Sequence, residues 1–251
     1  LIQSIKMGKK KKLLRFADTK VFSNVTEPPM EEFFDREKRV LFKHALAGNW
    51  CSKVFKNDNP IVLELGCGKG EYSVGMGKAF PEKNFIGVDI KGNRIWYGAK
   101  EALDNKLSNV HFLRTRIDFI TAFFEVGEVD EIWITFPDPQ EKENRARKRL
   151  TGKMFIDRYK QILKPHGVIH LKTDSAFLYE FTQEEIDEHG YTRLLSSPDL
   201  YGDNFDRFNE ENQLTLTNPH QPTQEILKIK TYYEELFTAR GHVITYTQFI
   251  P

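Results

Sequence analysis

An apolar run that meets three alternating glycines constrains this chain more than any other stretch: Ile61-Val62-Leu63-Glu64-Leu65-Gly66-Cys67-Gly68-Lys69-Gly70-Glu71. Five residues, apolar but for one acid, read as a buried strand. Glycines at 66, 68 and 70 let the backbone turn tightly and pass close to a ligand with no Cβ in the way. The stretch therefore predicts a strand, a turn and a helix. A nicotinamide-type G-x-G-x-x-G fingerprint would need glycine at position 71, where Glu71 stands, so the spacing is G-x-G-x-G instead. Glu64 falls at the carboxyl end of the strand, the edge where open α/β sheets bind ligands, and a carboxylate there suits a cationic cofactor.

From Ile61 onward the pattern alternates strand and helix as a parallel sheet requires. A helix over 71–80, a strand over 84–89, a helix over 92–106 and a strand over 110–113 follow in order. Asp89 closes the second strand, where a carboxylate accepts hydrogen bonds from both ribose hydroxyls of a nucleoside. The turn 114–118 is expected to lie against the base. Arg116 in that turn is a donor with no acceptor. A fourth strand over 131–136 runs into Pro137-Asp138-Pro139-Gln140. Downstream come a helix carrying Met154, Phe155, Tyr159, Ile162 and Leu163, a fifth strand over 167–173, a helix over 176–189 and a strand over 191–195. A loop-rich stretch, 196–224, precedes a helix over 228–240 and a last strand over 242–249. Ahead of the sheet, 31–50 reads as a helix with Phe33, Phe34, Val40, Leu41 and Leu46 on its apolar face.

The net charge of +1 hides an asymmetry. Residues 1–20 carry a balance of +6 and residues 140–153 a balance of +4, while 176–216 hold ten acids against Arg193 and Arg207. Two basic patches on a neutral chain suit a polyanion that touches selected surfaces. Residues 1–29 read as a flexible basic extension of the domain at 30–251, with 1–6 a leader ahead of Met7-Gly8-Lys9. No apolar run approaches the ~20 residues of a membrane span. Cys51 and Cys67 make no disulfide framework, so a cytoplasmic location is expected, with Cys67 a small buried filler rather than a nucleophile. The seven histidines show no metal-ligand spacing, and no obligate protein partner is evident.

Glu64 with the glycine turn resembles motif I of the S-adenosyl-L-methionine-dependent methyltransferases. Phe136-Pro137-Asp138-Pro139, Lys142, Arg147-Lys148-Arg149, Lys172-Thr173-Asp174 and Thr231-Tyr232-Tyr233-Glu234 follow in an order that makes the resemblance more specific. From about Met7 to the C-terminus the chain is similar to the bacterial tRNA (guanine-N7-)-methyltransferase family. That resemblance implies a class I methyltransferase fold, a seven-stranded, mostly parallel sheet with helices on both faces. It implies S-adenosyl-L-methionine as cofactor and tRNA as substrate, methylated on the guanosine at position 46 of the variable loop. Glu64, Gly66, Gly68, Asp89, Arg116 and Asp138 would hold the cofactor, and Asp138 would also be catalytic. Lys142, Asp174, Thr231, Tyr232, Tyr233 and Glu234 would contact substrate. Gln140 stands where many relatives have tryptophan, and Arg116 where they have Asp or Asn to accept from the adenine amino group, so either Asp118 substitutes or the backbone and a stacked guanidinium hold the base.

The chemistry fits the residues. Guanine N7 carries an in-plane lone pair and no proton, so attack on a sulfonium methyl group needs no general base, and catalysis rests on positioning and electrostatics. A carboxylate near the base lowers the energy of the developing cation, and one can also accept from guanine N1–H and N2–H. Asp138 and Asp174 are the candidates for these two roles, unassigned between them. On sequence alone, a methyltransferase acting on another nucleobase and a catalytically silent tRNA-binding protein of the same fold stay open.

Overall fold

The computed structural model describes residues 12–202, 227 and 229–251. The lysine-rich tract before residue 12 and most of the loop-rich stretch 196–224 lie outside the described residues. The chain folds as two compact units that divide between Phe123 and Phe124.

The first unit contains helix α1 (12–19), β1 (Val25–Thr26), β2 (Phe34–Asp35), β3 (Val40–Leu41), β4 (Ile61–Leu65), α2 (Glu71–Ala79), β5 (Asn84–Asp89), α3 (Gly92–Asp104) and β6 (Val110–Arg114). Every residue of β4 is buried, as in a strand covered on both faces of a parallel sheet. Strands run β1-β6-β5-β4, all parallel, with Glu64 opposite Gly87 and Asp89 opposite Arg114. On α3, Ile95, Ala99 and Ala102 repeat at i, i+4 and i+7 and are buried. Trp50 anchors the segment before β4, donating its indole N–H to the Phe123 carbonyl at 2.8 Å.

One expectation fails in this unit. The helix predicted over 31–50 does not form. Asp35 Oδ1 accepts from the N–H groups of Glu37 and Lys38, each at 3.0 Å, and Arg39 turns at φ 55°, so β2 and β3 fold back as a small antiparallel ribbon. The short side-chain acceptor captures the amides that a helix would have used. Helix α1 opens the described residues at residue 12. Asp18 accepts from the Trp96 indole at 2.8 Å, and the Arg15 guanidinium lies 5.2 Å from the Trp96 ring and 4.5 Å from Tyr97. These tertiary contacts hold α1 where its own sequence shows no period.

The second unit contains β7 (Val129–Thr135), α4 (Lys153–Ile162), β8 (Leu163–Thr173), α5 (Ala176–Glu188), β9 (Thr192–Ser197), α6 (Tyr232–Ala239) and β10 (Thr245–Ile250). Its strand order is β7-β8-β10-β9, with β7 and β8 parallel and β10 antiparallel to both neighbours. Phe155, Ile156, Tyr159 and Ile162 form the buried face of α4, whereas Met154 is exposed. Among the described residues, apart from the β2-β3 ribbon, each unit has four sheet strands, against the seven expected in all. Besides β2 and β3, the unforeseen strand is β1, two residues long and too short to leave a period in the sequence. Among the described residues no helix is long and apolar enough to cross a membrane.

Candidate active site

In the first unit the candidate residues gather where β4 and β5 end. Gly66, Gly68 and Gly70 have φ of 78°, 56° and 74°, values that L side chains rarely adopt. A Cβ on Gly66 would meet nothing within 4 Å, so the ground above the turn is open, whereas one on Gly70 would lie 2.5 Å from the Phe112 ring. The first two glycines thus leave room for a ligand and the third lets α2 start against the sheet. Cys67 is buried, which pushes its thiol well up, further raised by Glu64 and Asp89; a thiolate nucleophile does not fit there.

Glu64 is 2% exposed, and its Oε2 accepts from both the Ser73 N–H at 2.8 Å and the Ser73 hydroxyl at 2.5 Å. Gly70, the residue before α2, has no side chain to cap the helix, so a carboxylate from the neighbouring strand does it and meets the positive end of the helix. Asp89 is half-buried and fixed by two amides: Gly68 N–H to Oδ2 at 3.0 Å and Lys91 N–H to Oδ1 at 2.7 Å. Each oxygen keeps further accepting capacity toward solvent. Arg116 is exposed, 3.0 Å from Asp118 and 5.4 Å over the Phe119 ring. Its charge is therefore tied to the acid two residues on.

In the second unit Asp138 stands exposed on the loop after β7. Phe136 and Gln140 flank it at φ 47° and 51°, a left-handed backbone at two residues that are not glycine. Such strain gathers at functional loops. Here it is held from both sides. Phe136 N–H donates to the Lys172 carbonyl at 2.8 Å, and Arg149 donates to the carbonyls of Gln140 and Glu141, both at 3.2 Å. Arg149 is 5% exposed and lies over the rings of Phe177 and Phe181, which separates it from the basic patch in which the sequence placed it. Lys142, Arg145, Arg147 and Lys148 remain exposed.

Asp174 follows β8 and pairs with His242, Oδ2 to Nδ1, at 3.3 Å. The Thr231–Glu234 motif starts α6. Thr231 Oγ1 accepts from the Glu234 N–H at 3.1 Å, the first half of a capping box. The Glu234 carboxylate does not reach back to complete the box. It is fully buried, 2.8 Å from Lys172 Nζ and 2.6 Å from the Tyr201 hydroxyl. Burial lowers Lys172 to about 8, with Glu234 pulling the other way. Tyr232 and Tyr233 are exposed.

A glycine turn opening from a parallel strand, an acid closing the next strand and an exposed acid on the loop after a later one define a class I methyltransferase. The 16S rRNA methyltransferase KamB shares the fold, with a TM-score of 0.56, 12% identity, and coverage of 87% of this chain and 98% of that one. A family described as "Putative methyltransferase" matches residues 58–247. A Christiangramia forsetii protein named tRNA (guanine-N(7)-)-methyltransferase is 45% identical over 243 residues, 97% of this chain and 99% of that one. A Porphyromonas gingivalis protein of the same name is 52% identical over 204 residues, 81% of this chain and 76% of that one. The chain belongs to the tRNA (guanine-N7-)-methyltransferase family.

Proposed function

We propose that the protein methylates N7 of a guanosine in tRNA, at position 46 of the variable loop, and does so in the cytoplasm. The observation that carries this reading is Asp138, an exposed carboxylate on a loop held left-handed at Phe136 and Gln140, in a chain so similar over its length to proteins of that name. S-adenosyl-L-methionine, when bound, supplies the methyl group on a sulfonium centre. The residues of the first unit fit it. The open space over Gly66 admits a ligand close to the backbone, Asp89 offers accepting oxygens to ribose hydroxyls, and Glu64 fixes the loop by holding Ser73. Arg116 would contribute through its guanidinium face rather than by accepting from an amino group.

In the second unit, Asp138 and Asp174 divide two tasks, stabilising positive charge that develops on the guanine ring and accepting from its N1–H and N2–H edge. Lys142, Arg145, Arg147 and Lys148 neutralise phosphates, which positions the RNA without reading it. The test is methyl transfer from labelled S-adenosyl-L-methionine to two tRNA transcripts, one with guanosine and one with adenosine at position 46. Label at N7 in the first alone is expected. Equal labelling of both would move the target elsewhere, and Asp138→Asn at full turnover would remove its catalytic role.

A further inference from the structure

Four rings of the second unit form a ladder that leads to Asp174. Tyr232 and Tyr233 meet edge to face with centroids 5.6 Å apart, Tyr233 stacks on Phe237 at 6.1 Å, and Phe237 stacks on His242 at 5.5 Å. His242 then meets Asp174 at 3.3 Å. The sequence dictates this line. Tyr233 and Phe237 are four apart and share one face of α6. Gly241, at φ 81°, ends the helix, and the His242 N–H turns back to the Phe237 carbonyl at 3.0 Å, which places the imidazole beside the phenyl ring.

Rings of this size are normally covered, yet Tyr232 is 51% exposed, Tyr233 39%, and the His242 side chain 47%. Exposed Lys230 and Arg240 sit at the two ends of α6 and outnumber exposed Glu235. Flat π-faces, flanking cations and a carboxylate at one end are the contacts that unpaired RNA uses: stacking for its bases, charge for its phosphates, an acceptor for a base edge. We propose that Tyr233, Phe237 and His242 form a stacking platform for unpaired RNA bases beside the guanosine that Asp174 engages, an inference that rests on the tRNA substrate proposed above.

The test uses the full chain and an unmodified tRNA transcript, with binding measured over a range of salt. Phe237→Leu and His242→Leu keep apolar bulk and remove the ring. Each should weaken tRNA binding about 5- to 150-fold, the worth of one stacked base. The slope of log affinity against log salt should not change, because stacking releases no counterions. S-adenosyl-L-methionine affinity should stay as in wild type, and Phe237→Tyr and His242→Phe should restore binding. Unchanged tRNA affinity in both leucine variants, or a loss that the aromatic replacements fail to restore, overturns the platform. Should Phe237→Leu fail to fold, the exposed His242 pair decides alone. Wild-type protein that methylates no tRNA would sink the substrate reading instead, so the two failures are distinguishable.

Discussion

Removing the Lys172 ammonium should unfold the protein more readily than any surface change, and the size follows from its surroundings. Lys172 Nζ lies 2.8 Å from Glu234 Oε1, 2.8 Å from the Leu227 carbonyl and 3.2 Å from the Ile229 carbonyl, acceptors enough for its three protons. Both side chains of the pair are 0% exposed. Lys172→Met leaves the Glu234 carboxylate in the interior beside the Tyr201 hydroxyl. Breaking a buried pair from one side costs roughly 3–5 kcal/mol, because the remaining charge has lost its water and its partner. At about 2–4 °C per kcal/mol for a chain of this length, the melting temperature falls by roughly 10 °C. Adding Glu234→Gln removes the stranded charge but leaves two carbonyls without their donor, so the double variant should recover part of the loss, with a coupling of about 2 kcal/mol or more. Urea unfolding of wild type, both single variants and the double variant measures it. Additive single effects, or a Lys172→Met stability within about 1 kcal/mol of wild type, would refute the view that this pair clamps α6.

Two further outcomes are expected. Burial among Trp50 and Phe55 lowers His111 to about 4 from an ordinary 6.5. The unfolded chain takes up this proton first as pH falls, so the contribution is complete above pH 6.5 and lost toward pH 4, roughly 3 kcal/mol in all; unfolding at pH 7 and pH 5 should show a slope in wild type that His111→Gln lacks. Replacing Arg145, Arg147 and Lys148 together by glutamine should flatten the salt dependence of tRNA binding by about 0.7 for each phosphate no longer neutralised, and an unchanged slope would mean that these side chains merely face solvent.

Much of the fold was legible where residue pattern and local geometry agree. The apolar run into G-x-G-x-G gave β4 and its turn, and the acid-terminated run gave β5, because a buried parallel strand needs continuous apolar residues and the turn needs glycine. The segment 31–50 misled because its apolar spacing suits a helix while Asp35, through its side chain, favours a turn. The basic segment around 145–153 misled at Arg149, whose charge serves two carbonyls and two phenyl rings inside the protein. Two other signals lie in the residues themselves. Thr231-x-x-Glu234 has capping-box spacing, which marks a helix start. Lys172, a lone cation in the apolar run 167–173, required a buried acid somewhere, and nothing local says that the acid is 62 residues away at Glu234.

Exposure sorts the acids of these motifs by what they can do. Glu64 and Glu234 are 2% and 0% exposed, and each commits one oxygen to partners inside its own unit, Glu64 Oε2 to Ser73 and Glu234 Oε1 to Lys172 and Tyr201. Burial shields both groups from solvent, and pulling either away from its partners would leave a buried donor unmet. Asp89, Asp138 and Asp174 differ in kind. Asp89 and Asp138 accept from backbone amides, and Asp174 pairs with a half-exposed histidine, so each is aimed by the fold yet keeps capacity for an incoming donor. An interior acid fixes the element that carries the motif, and a rim acid exchanges water for a ligand. On that division the proposed function assigns Glu64 and Glu234 an indirect part, through the glycine turn and through α6, and gives Asp89, Asp138 and Asp174 the proposed direct contacts with a ribose or a base.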